Sequence, residues 1–554
     1  MKHEFTILQI HGNLIPGQGD YVYRIRQPGE AMGRIPGIKV VDCYAYSPLL
    51  RELCLCADLV ILHLLWEPDI IPLVLERKRL GLATVYEISD NFLAVPPSCA
   101  HVTSSIKRPI AVSTIFQLIQ LSDAIQGVST ILMDRFSFLH AHPVVFENHL
   151  MQVPELSWAP KENITIGWAG STGHTEDLKW IAPLLKDICL THPQVRFSFM
   201  GGRQQYDEVF GGLANDQFSY TPGGVLSEYF TFLESLDIGL APLKETPFNA
   251  GRSDVKFIEY ASRGVVPVLS DFGPYQLHAK HEVNAFLFDG PDSLKKILET
   301  LIGDKGLRER VRQSAYAYVK NERVEADHAR ERISFYRQIA AQRPPNPLPV
   351  ELLDKMNPET EYFQTKMTPS EQFLIQGVDH RDQGKMKEAK ELLWKSASES
   401  HNYYFPLLIA AETFAPDELD QAIQAIRLSL AMNPESLSGR LKLGQALKRK
   451  DIEAAKRQFE LALSSFPGFA PALYELAVIE AQEGKIDKAT QLLDRALQVN
   501  PFYAPAASGL GKISMNMGDV DRAVSAFQVA ADLDPDNRDY LTDLLTACKK
   551  RRSQ

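Results

Sequence analysis

Two cations and one carboxylate lie close together in the segment 248–275, FNAGRSDVKFIEYASRGVVPVLSDFGPY. Arg252 precedes Lys256 by four residues and Glu259 follows it by three, so a helix places Lys256 and Glu259 on one face. Guanidinium and ammonium groups beside the backbone N–H groups of a helix start can hold a phosphate or diphosphate. A carboxylate one turn further on can accept hydrogen bonds from a ribose diol. The pattern predicts a nucleotide site; the alternative is a surface helix whose charged side chains are solvated.

The elements around these residues read as a strand–loop–helix–strand unit. Residues 237–243 form an apolar run of strand length, residues 255–263 have a helical pattern that stops at Gly264, and residues 265–270 form a second apolar run. Such a unit is a βαβ crossover, and ligands of these sheets bind at the carboxyl ends of the strands. The loop 249–254, which includes Ser253, is therefore expected to face a ligand.

A second loop has the composition of an anion cradle. The strand pattern of residues 163–170 runs into the loop 171–175, and a helix is predicted over 176–190 with Thr175 as its N-cap. Backbone amides of Gly170, Ser171 and Gly173 at this helix start could bind an anion without any cationic side chain.

These two segments resemble the donor-nucleotide motifs of GT-B glycosyltransferases, especially the large retaining group called family 4 or "group 1". The ribose-binding glutamate of that family corresponds to Glu259, and its strand motif corresponds to 264–270, GVVPVLS. The segment 166–178, IGWAGSTGHTEDL, is similar to one subgroup of the family. The resemblance implies two Rossmann-like lobes around a cleft.

The chain departs from the family pattern at two places. The family often has another glutamate eight positions before the ribose-binding one, where this chain has Gly251. Familiar members also place an arginine and a lysine on the loop that corresponds to 171–175, where Ser171 and His174 stand here. The resemblance then implies that Arg252 and Lys256 carry the positive charge for the diphosphate.

The first part of the chain is expected to form the acceptor-side lobe. Strand patterns at 5–10, 38–41, 59–62, 83–88 and 124–128 alternate with helical stretches, as in a doubly wound α/β domain. Gly17 and Gly19 lie in a loop that resembles the first substrate loop of GT-B enzymes, although a tight turn is equally consistent. Asp90 and Asn91 follow the fourth strand and could contact the acceptor or the donor sugar; a helix N-cap or turn is the alternative.

Other residues of the second lobe receive less specific predictions. Arg203 follows the strand pattern of 195–203 and could lie near the base or the phosphates, although a solvated arginine is the alternative. The loop 220–224 is assigned to the base, and residues 324–341 are predicted to form the helix that crosses back to the first lobe. His149 is expected to be a polar residue near the hinge.

The last third of the chain contains an internal repeat. Pro434, Pro467, Pro501 and Pro535 are spaced by 33, 34 and 34 residues, which is the tetratricopeptide (TPR) period. Small residues at the repeat positions predict closely packed helix pairs that stack into an all-α solenoid over 367–554. Its groove could bind peptides or partners, or make a dimer. Four prolines within 344–349 predict a stiff linker over 343–366.

Composition limits the classes of function. A chain of 554 residues is expected to contain several domains, and a net charge of −10 argues against a nucleic-acid partner. Six cysteines without a CxxC pair suit a reducing cytoplasm. The N-terminus has too short an apolar run for a signal peptide, and no run approaches the length that spans a bilayer. We therefore expect a cytoplasmic protein without a transmembrane segment. A peripheral contact with a membrane is the alternative.

Together these features predict lobes at 1–155 and 156–342, a linker at 343–366 and repeats at 367–554. The predicted activity is transfer of a sugar, with retention, from a nucleotide-diphosphate sugar to a hydroxyl of a protein, glycan or lipid-linked acceptor. Arg252, Lys256 and Asp90 are the candidate catalytic residues, and no metal or cofactor besides the co-substrate is expected. Asp534-Pro-Asp536 matches the metal-binding D-x-D pattern but lies in a repeat turn. The alternative is a non-catalytic scaffold with a TPR interaction module; a GT-B-fold epimerase is disfavoured by the repeats.

Overall fold

The computed structural model describes residues 5–12, 19–96, 109–140, 142–156, 163–211, 216–341, 356–358, 362–365, 367–400, 403–535 and 537–553. The strands are β1 (Phe5–His11), β2 (Ile38–Tyr44), β3 (Leu59–His63), β4 (Ala83–Ile88), β5 (Ala124–Gly127), β6 (Pro143–Val145), β7 (Ile164–Ala169), β8 (Val195–Gly201), β9 (Phe218–Pro222), β10 (Ile238–Ala241), β11 (Val266–Ser270), β12 (Phe286–Phe288), β13 (Met356–Pro358) and β14 (Tyr362–Thr365). They form two separate sheets.

Helices cover both sheets. Those of the first lobe are Tyr21–Arg26, which is a π-helix, Gln27–Gly33, Leu50–Cys56, Ile70–Leu80, Pro109–Leu121 and Thr130–Phe136. Those that follow are Thr175–Thr191, Arg203–Phe210, Leu226–Glu234, Pro247–Ala250, Val255–Ser262, Tyr275–His278, Pro291–Gly303, Lys305–Glu322 and Glu325–Ala340.

The first sheet has the order β13-β14-β2-β1-β3-β4-β5-β6 and is parallel except for the β13–β14 pair. Its central strands are buried along almost their whole length because both faces are covered. The register aligns His11 at the end of β1 with His63 at the end of β3, and His63 with Glu87 of β4. Three polar side chains therefore meet at the carboxyl edge of this lobe.

The second sheet has the order β12-β11-β10-β7-β8-β9 and is parallel throughout. The chain order reverses between β7 and β10, so the loops after these two strands flank the crevice where ligands of such sheets bind. Gly264 ends the helix Val255–Ser262 with a left-handed φ of +66°, as predicted for a C′ residue. The predicted pair of Rossmann-like lobes is confirmed.

The helix Glu325–Ala340 packs on the first lobe although it follows the second in sequence. Ile333 and Tyr336 share a core with Ile7 and Val40, and the Tyr336 hydroxyl donates to Gln126 Oε1 at 2.9 Å. The two lobes are therefore joined by this helix as well as by the segment after β6.

Part of the predicted linker is not a linker. The prolines at 344–349 lie outside the described residues, but β13 and β14 lie within 343–366 and extend the first sheet. Tyr362 of β14 pairs in parallel with Val40 of β2. Without this pairing β2 would be an edge strand with unsatisfied backbone groups, which favours the added strand.

The C-terminal part is a stack of paired helices, as predicted. They are Pro369–Asp382, Met386–Ser398, Phe405–Ala411, Leu419–Met432, Leu437–Leu447, Ile452–Ser465, Ala470–Gln482, Ile486–Val499, Ala504–Met517, Val520–Leu533 and Arg538–Ser553. Small residues allow the close packing: a Cβ added at Gly511 would lie 2.6 Å from the Phe527 ring. Asp534 follows the helix Val520–Leu533, whereas Asp536 lies outside the described residues.

The solenoid is docked on the first lobe. Asn500 Nδ2 donates to the Ser113 carbonyl at 2.9 Å, and the Asp69 carboxylate accepts from Ser436 Oγ at 2.8 Å and from the Ser438 amide at 2.9 Å. One apolar cluster continues from the first lobe into the repeats. None of the described helices combines the length and apolarity needed to cross a bilayer.

Candidate functional site

The two lobes approach each other at the loop that carries Arg252. Asn91 Nδ2 of the first lobe donates to the Pro247 carbonyl of the second at 2.9 Å. A Cβ added at Gly251 would lie 2.9 Å from Leu132 Cδ1 and 3.4 Å from Asn91 Cβ. The glycine at the position of the family's first glutamate therefore has a structural reason, because the first lobe occupies the space that a longer side chain needs.

Arg252 is held by a chain of hydrogen bonds. Its Nη1 donates to Nε2 of His174, and His174 Nδ1 donates to Asp177 Oδ2 at 3.0 Å. Burial and the Arg252 charge lower the pKa of His174 to about 4, so the ring is neutral at pH 7 and can accept from the guanidinium. A neutral partner positions Arg252 without cancelling its positive charge. Arg252 also lies over the Phe248 ring, 4.8 Å from its centre.

Asp177 links this chain to the loop after β10. Its Oδ1 accepts from the Lys244 amide at 2.9 Å and from Asn249 Nδ2 at 3.0 Å. The carboxylate is 3 % exposed, so these contacts form in the interior. Asp177 thereby fixes the His174 ring and the loop 244–249 relative to each other.

Glu259 and Lys256 lie in a buried cluster with two tyrosines. Glu259 Oε1 accepts from the Tyr23 hydroxyl at 2.6 Å, and Oε2 accepts from the Tyr229 hydroxyl at 2.6 Å. Lys256 Nζ donates to Tyr229 Oη at 2.8 Å and lies 3.6 Å from Glu259 Oε2. Burial lowers the pKa of Lys256. Because Tyr23 belongs to the first lobe, Glu259 lies at the junction of the lobes.

Asp90 of the first lobe lies close enough to Arg252 of the second for their charges to interact. Burial and the neighbouring Asp20 carboxylate raise the pKa of Asp90 to about 7, and the Arg252 charge acts in the opposite direction. A carboxyl group with such a pKa exchanges protons at neutral pH, as a proton-transfer group requires. Its neighbour Asn91 is fully buried and serves the interlobe contact described above.

The glycine loop after β7 departs from the prediction at Gly170, whose backbone amide donates to the Met200 carbonyl at 3.1 Å and is therefore not free to bind an anion. Ser171 is exposed, and its carbonyl accepts from Gln205 Nε2 at 3.2 Å. A Cβ added at Gly170 would lie 2.7 Å from the Trp168 ring. Gly173 is in the 3-10 turn Thr172–His174. The prediction of Thr175 as N-cap is wrong by one residue: the helix begins at Thr175, whose hydroxyl donates back to the Thr172 carbonyl at 2.7 Å.

Arg203 is not brought into contact with the Arg252 group. Its side chain is 66 % exposed and pairs with both oxygens of Asp207 at 3.0 and 2.9 Å. It also lies 5.2 Å from the centre of the Tyr220 ring, in the loop assigned to the base. No contact between Arg203 and the Arg252 group is observed in the described part of the chain.

The remaining predicted residues lie around the junction. Gly19 has a left-handed φ of +52°, and Gly17 lies outside the described residues. Ser253 is half-buried beside Asp254, the N-cap of the helix Val255–Ser262. His149 stacks on His328 with ring centres 3.8 Å apart, next to the crossing helix.

Several hydrogen-bond partners of the site residues could not be predicted from the sequence. Both terminal nitrogens of Arg323 donate to the Asp254 carboxylate, at 2.6 and 2.8 Å, and Nη2 also donates to the Asn148 carbonyl at 2.7 Å. These hydrogen bonds connect the helix that carries Lys256 and Glu259 to the segment that follows β6, the last strand before the second lobe. Asp177 follows His174 by three residues and could have been paired with it from helical spacing, whereas no local signal connects Tyr23 with Glu259.

Several buried polar atoms at the junction have no hydrogen-bond partner in the described part of the chain. They are His11 Nδ1, His63 Nε2, Ser89 Oγ, Asn91 Oδ1 and Arg252 Nε. Buried polar groups are normally paired, but comparable atoms without a partner in the described chain also occur away from the junction, such as Tyr403 Oη and Ser429 Oγ in the solenoid.

Residues 446–501 and 480–548 match a family model described as "Tetratricopeptide repeat". Over residues 446–548 the solenoid therefore matches tetratricopeptide repeats. Among solved structures, the chain is similar to Anabaena Alr3699/HepE in complex with UDP, with 13% identity over 60% of this chain and 100% of that chain and a TM-score of 0.44. It is similar to a glycosyltransferase from Rickettsia africae ESF-5, with 13% identity over 61% of this chain and 100% of that chain and a TM-score of 0.45. MamA protein is similar at 21% identity over 30% of this chain and 92% of that chain, with a TM-score of 0.26. No curated protein matches the chain.

Proposed function

We propose that the protein is a GT-B glycosyltransferase that moves a sugar from a nucleotide-diphosphate sugar to an acceptor hydroxyl. The observation that carries this proposal is the arrangement of Arg252, Lys256 and Glu259 at the switch point of the second lobe, opposite Asp90 of the first. Two cations can bind a diphosphate and a carboxylate can bind a ribose, and these are the groups that binding of such a donor needs.

In the proposed reaction the bond between the sugar carbon and the diphosphate oxygen breaks, and its electron pair stays on the diphosphate. A new bond forms between the sugar carbon and the acceptor oxygen, while the acceptor proton goes to the leaving phosphate, which corresponds to retention. Arg252 and Lys256 stabilise the charge that develops on the leaving group. Because His174 is neutral, the full charge of Arg252 is available for this role.

Glu259 binds the ribose in this proposal, and its present partners indicate how. Two phenolic hydroxyls already donate to its two oxygens at 2.6 Å, in the manner expected of two ribose hydroxyls. A bound donor would replace at least one of them. Closure of the lobes around the donor would exclude water that could hydrolyse it.

Turnover of nucleotide sugars tests the proposal. The release of nucleoside diphosphate would be measured for UDP-, GDP- and ADP-sugars with the wild type and with Arg252→Ala and Lys256→Ala. Loss of a group that stabilises developing charge costs about 100- to 1000-fold in rate. Lys295→Ala is a matched control, since Lys295 is a partly exposed lysine of the same lobe paired with Asp187. Near-wild-type rates in both variants would show that Arg252 and Lys256 do not form the proposed diphosphate site.

A second candidate is a non-catalytic GT-B-like scaffold. Gly251 in place of the family's first glutamate, and a Glu259 carboxylate whose two oxygens are both occupied, favour it. Nucleotide binding without turnover of any donor would support this alternative. In both cases we propose that the TPR solenoid docks the acceptor or a protein partner, or associates with a second copy. Light scattering of the full chain, which measures the mass of the particle, tests the association with a second copy.

A further inference from the structure

We propose that a pocket beside the donor site binds one sugar ring of a glycan. The pocket lies where the loops after β10, β11 and β12 meet, and its volume is about 300 Å³. Arg252, Lys256 and Glu259 do not line it, so it is separate from the proposed diphosphate and ribose contacts. The assignment of a glycan as its ligand rests on the proposed function, because the product of a glycosyltransferase is a glycoside.

The pocket occupies the outer part of the carboxyl edge of the second sheet. The strands β10, β11 and β12 lie side by side, and ligands of parallel sheets bind at the carboxyl ends of their strands. The floor is buried, since Leu243, Ser270 and Phe288 are at most 2% exposed, whereas Lys244 and Asp271 are exposed at the rim. The volume is at the lower end of the range of small-molecule pockets, so a ligand of the size of one sugar ring fits.

Three aromatic side chains give the pocket an apolar wall. The ring centres of Trp180 and Phe288 lie 6.0 Å apart with the ring planes tilted by 38°. Phe272, which is half-buried like Trp180, also lines the pocket. The C–H groups of a sugar ring are apolar and carry a small positive partial charge, so they pack on the electron-rich face of an aromatic ring. This wall therefore suits one face of a sugar.

The polar groups of the pocket include both acceptors and a donor. Asp271 Oδ1 accepts from Gln276 Nε2 at 3.0 Å, and Asp289 Oδ1 accepts from the Ser293 hydroxyl at 2.5 Å. A carboxylate accepts several hydrogen bonds, so both can accept further bonds from ligand hydroxyls, while the Lys244 ammonium can donate. The ammonium disfavours a cationic ligand and the carboxylates disfavour an anionic one. A neutral polyol matches this set.

Hydrogen bonds fix the loop that forms one side of the pocket. The Leu243 amide donates to Ser270 Oγ at 2.8 Å, and the Lys244 amide donates to Asp177 Oδ1 at 2.9 Å. Asp177 also accepts from His174, which positions the guanidinium of the donor site. The pocket is therefore preformed and shares a loop with the donor site, so a glycan bound in it is held beside the cleft.

The test titrates the full chain with the methyl glycosides of glucose, galactose, mannose and N-acetylglucosamine, with binding measured by saturation-transfer NMR. A pocket for one ring predicts a dissociation constant of about 1 mM for at least one of them. Trp180→Ala should weaken this binding by about tenfold or more, and Asp271→Asn by about tenfold, because they remove the wall and a charged acceptor. Trp180→Phe keeps a ring and should bind more tightly than Trp180→Ala.

Trp394→Ala is the matched control, because Trp394 is 37% exposed on the solenoid. It should bind the glycoside as the wild type does. The dissociation constant for the nucleoside diphosphate, measured by calorimetry, should stay within about twofold in all the pocket variants.

No binding of any of the four glycosides at about 10 mM would overturn the assignment, as would equal affinity in the wild type, Trp180→Ala and Asp271→Asn. Preferential binding of tetramethylammonium, weakened by salt, would also overturn it, because the aromatic wall would then serve a cation. Nucleoside diphosphate binding without glycoside binding would refute this assignment alone. Glycoside binding that depends on Trp180, without nucleoside diphosphate binding, would refute the proposed function alone.

Discussion

Replacing Tyr23 with phenylalanine removes one phenolic hydroxyl from the junction of the lobes. The hydroxyl donates to Glu259 Oε1 at 2.6 Å, and the two side chains are 4 % and 3 % exposed. A hydrogen bond to a charged group contributes about 1.5–3 kcal/mol. If a ribose hydroxyl replaces Tyr23 on Glu259, the wild type loses this bond when it binds the donor and the variant does not. The dissociation constant for the nucleoside diphosphate should then fall by about 10- to 100-fold in Tyr23→Phe.

Titration calorimetry with the nucleoside diphosphate measures this effect, and thermal unfolding of the ligand-free protein should show a matching loss of stability. Tyr260→Phe is the control, because this buried tyrosine follows Glu259 but donates to the Leu240 carbonyl at 2.9 Å. It should lose stability without a change in affinity. An unchanged or weaker affinity in Tyr23→Phe would show that the ribose does not take the place of the Tyr23 hydroxyl.

Three further predictions follow from the junction. The pKa of the Asp90 carboxyl is about 7 in the folded chain and near 3.8 in the unfolded chain, so folding favours the protonated form. The free energy of unfolding of the wild type should therefore fall as pH rises from about 4 to about 7. Denaturant unfolding of Asp90→Asn should lack that part of the fall. Gly251→Glu should lose about 1–3 kcal/mol in the free energy of unfolding through overpacking against Leu132, and an unchanged midpoint would contradict the close approach. Asp177→Asn should weaken nucleoside diphosphate binding severalfold by releasing His174, and unchanged calorimetric affinity would argue against the positioning chain.

The sequence predicted the parts of the fold whose signals are local. Apolar runs with a glycine at the helix end identified the unit around the helix Val255–Ser262, and the proline spacing identified the repeats. β14 was missed because the prolines at 344–349 suggested a linker for the whole segment, whereas its pairing with β2 depends on a strand that lies more than three hundred residues earlier in the chain.

The candidate site was predictable on one side only. Arg252, Lys256 and Glu259 share one short segment, so their spacing could be interpreted directly. Tyr23 lies 236 residues from Glu259, and no periodicity connects them.

The most direct test of the central claim is calorimetric titration of the wild type, Arg252→Ala and Lys295→Ala with UDP, GDP and ADP. The account predicts that at least one nucleoside diphosphate binds the wild type and Lys295→Ala equally, and that Arg252→Ala weakens this binding by about tenfold or more. Equal affinity in Arg252→Ala and the wild type, or no binding of any of the three to the wild type, would contradict a diphosphate site between the lobes.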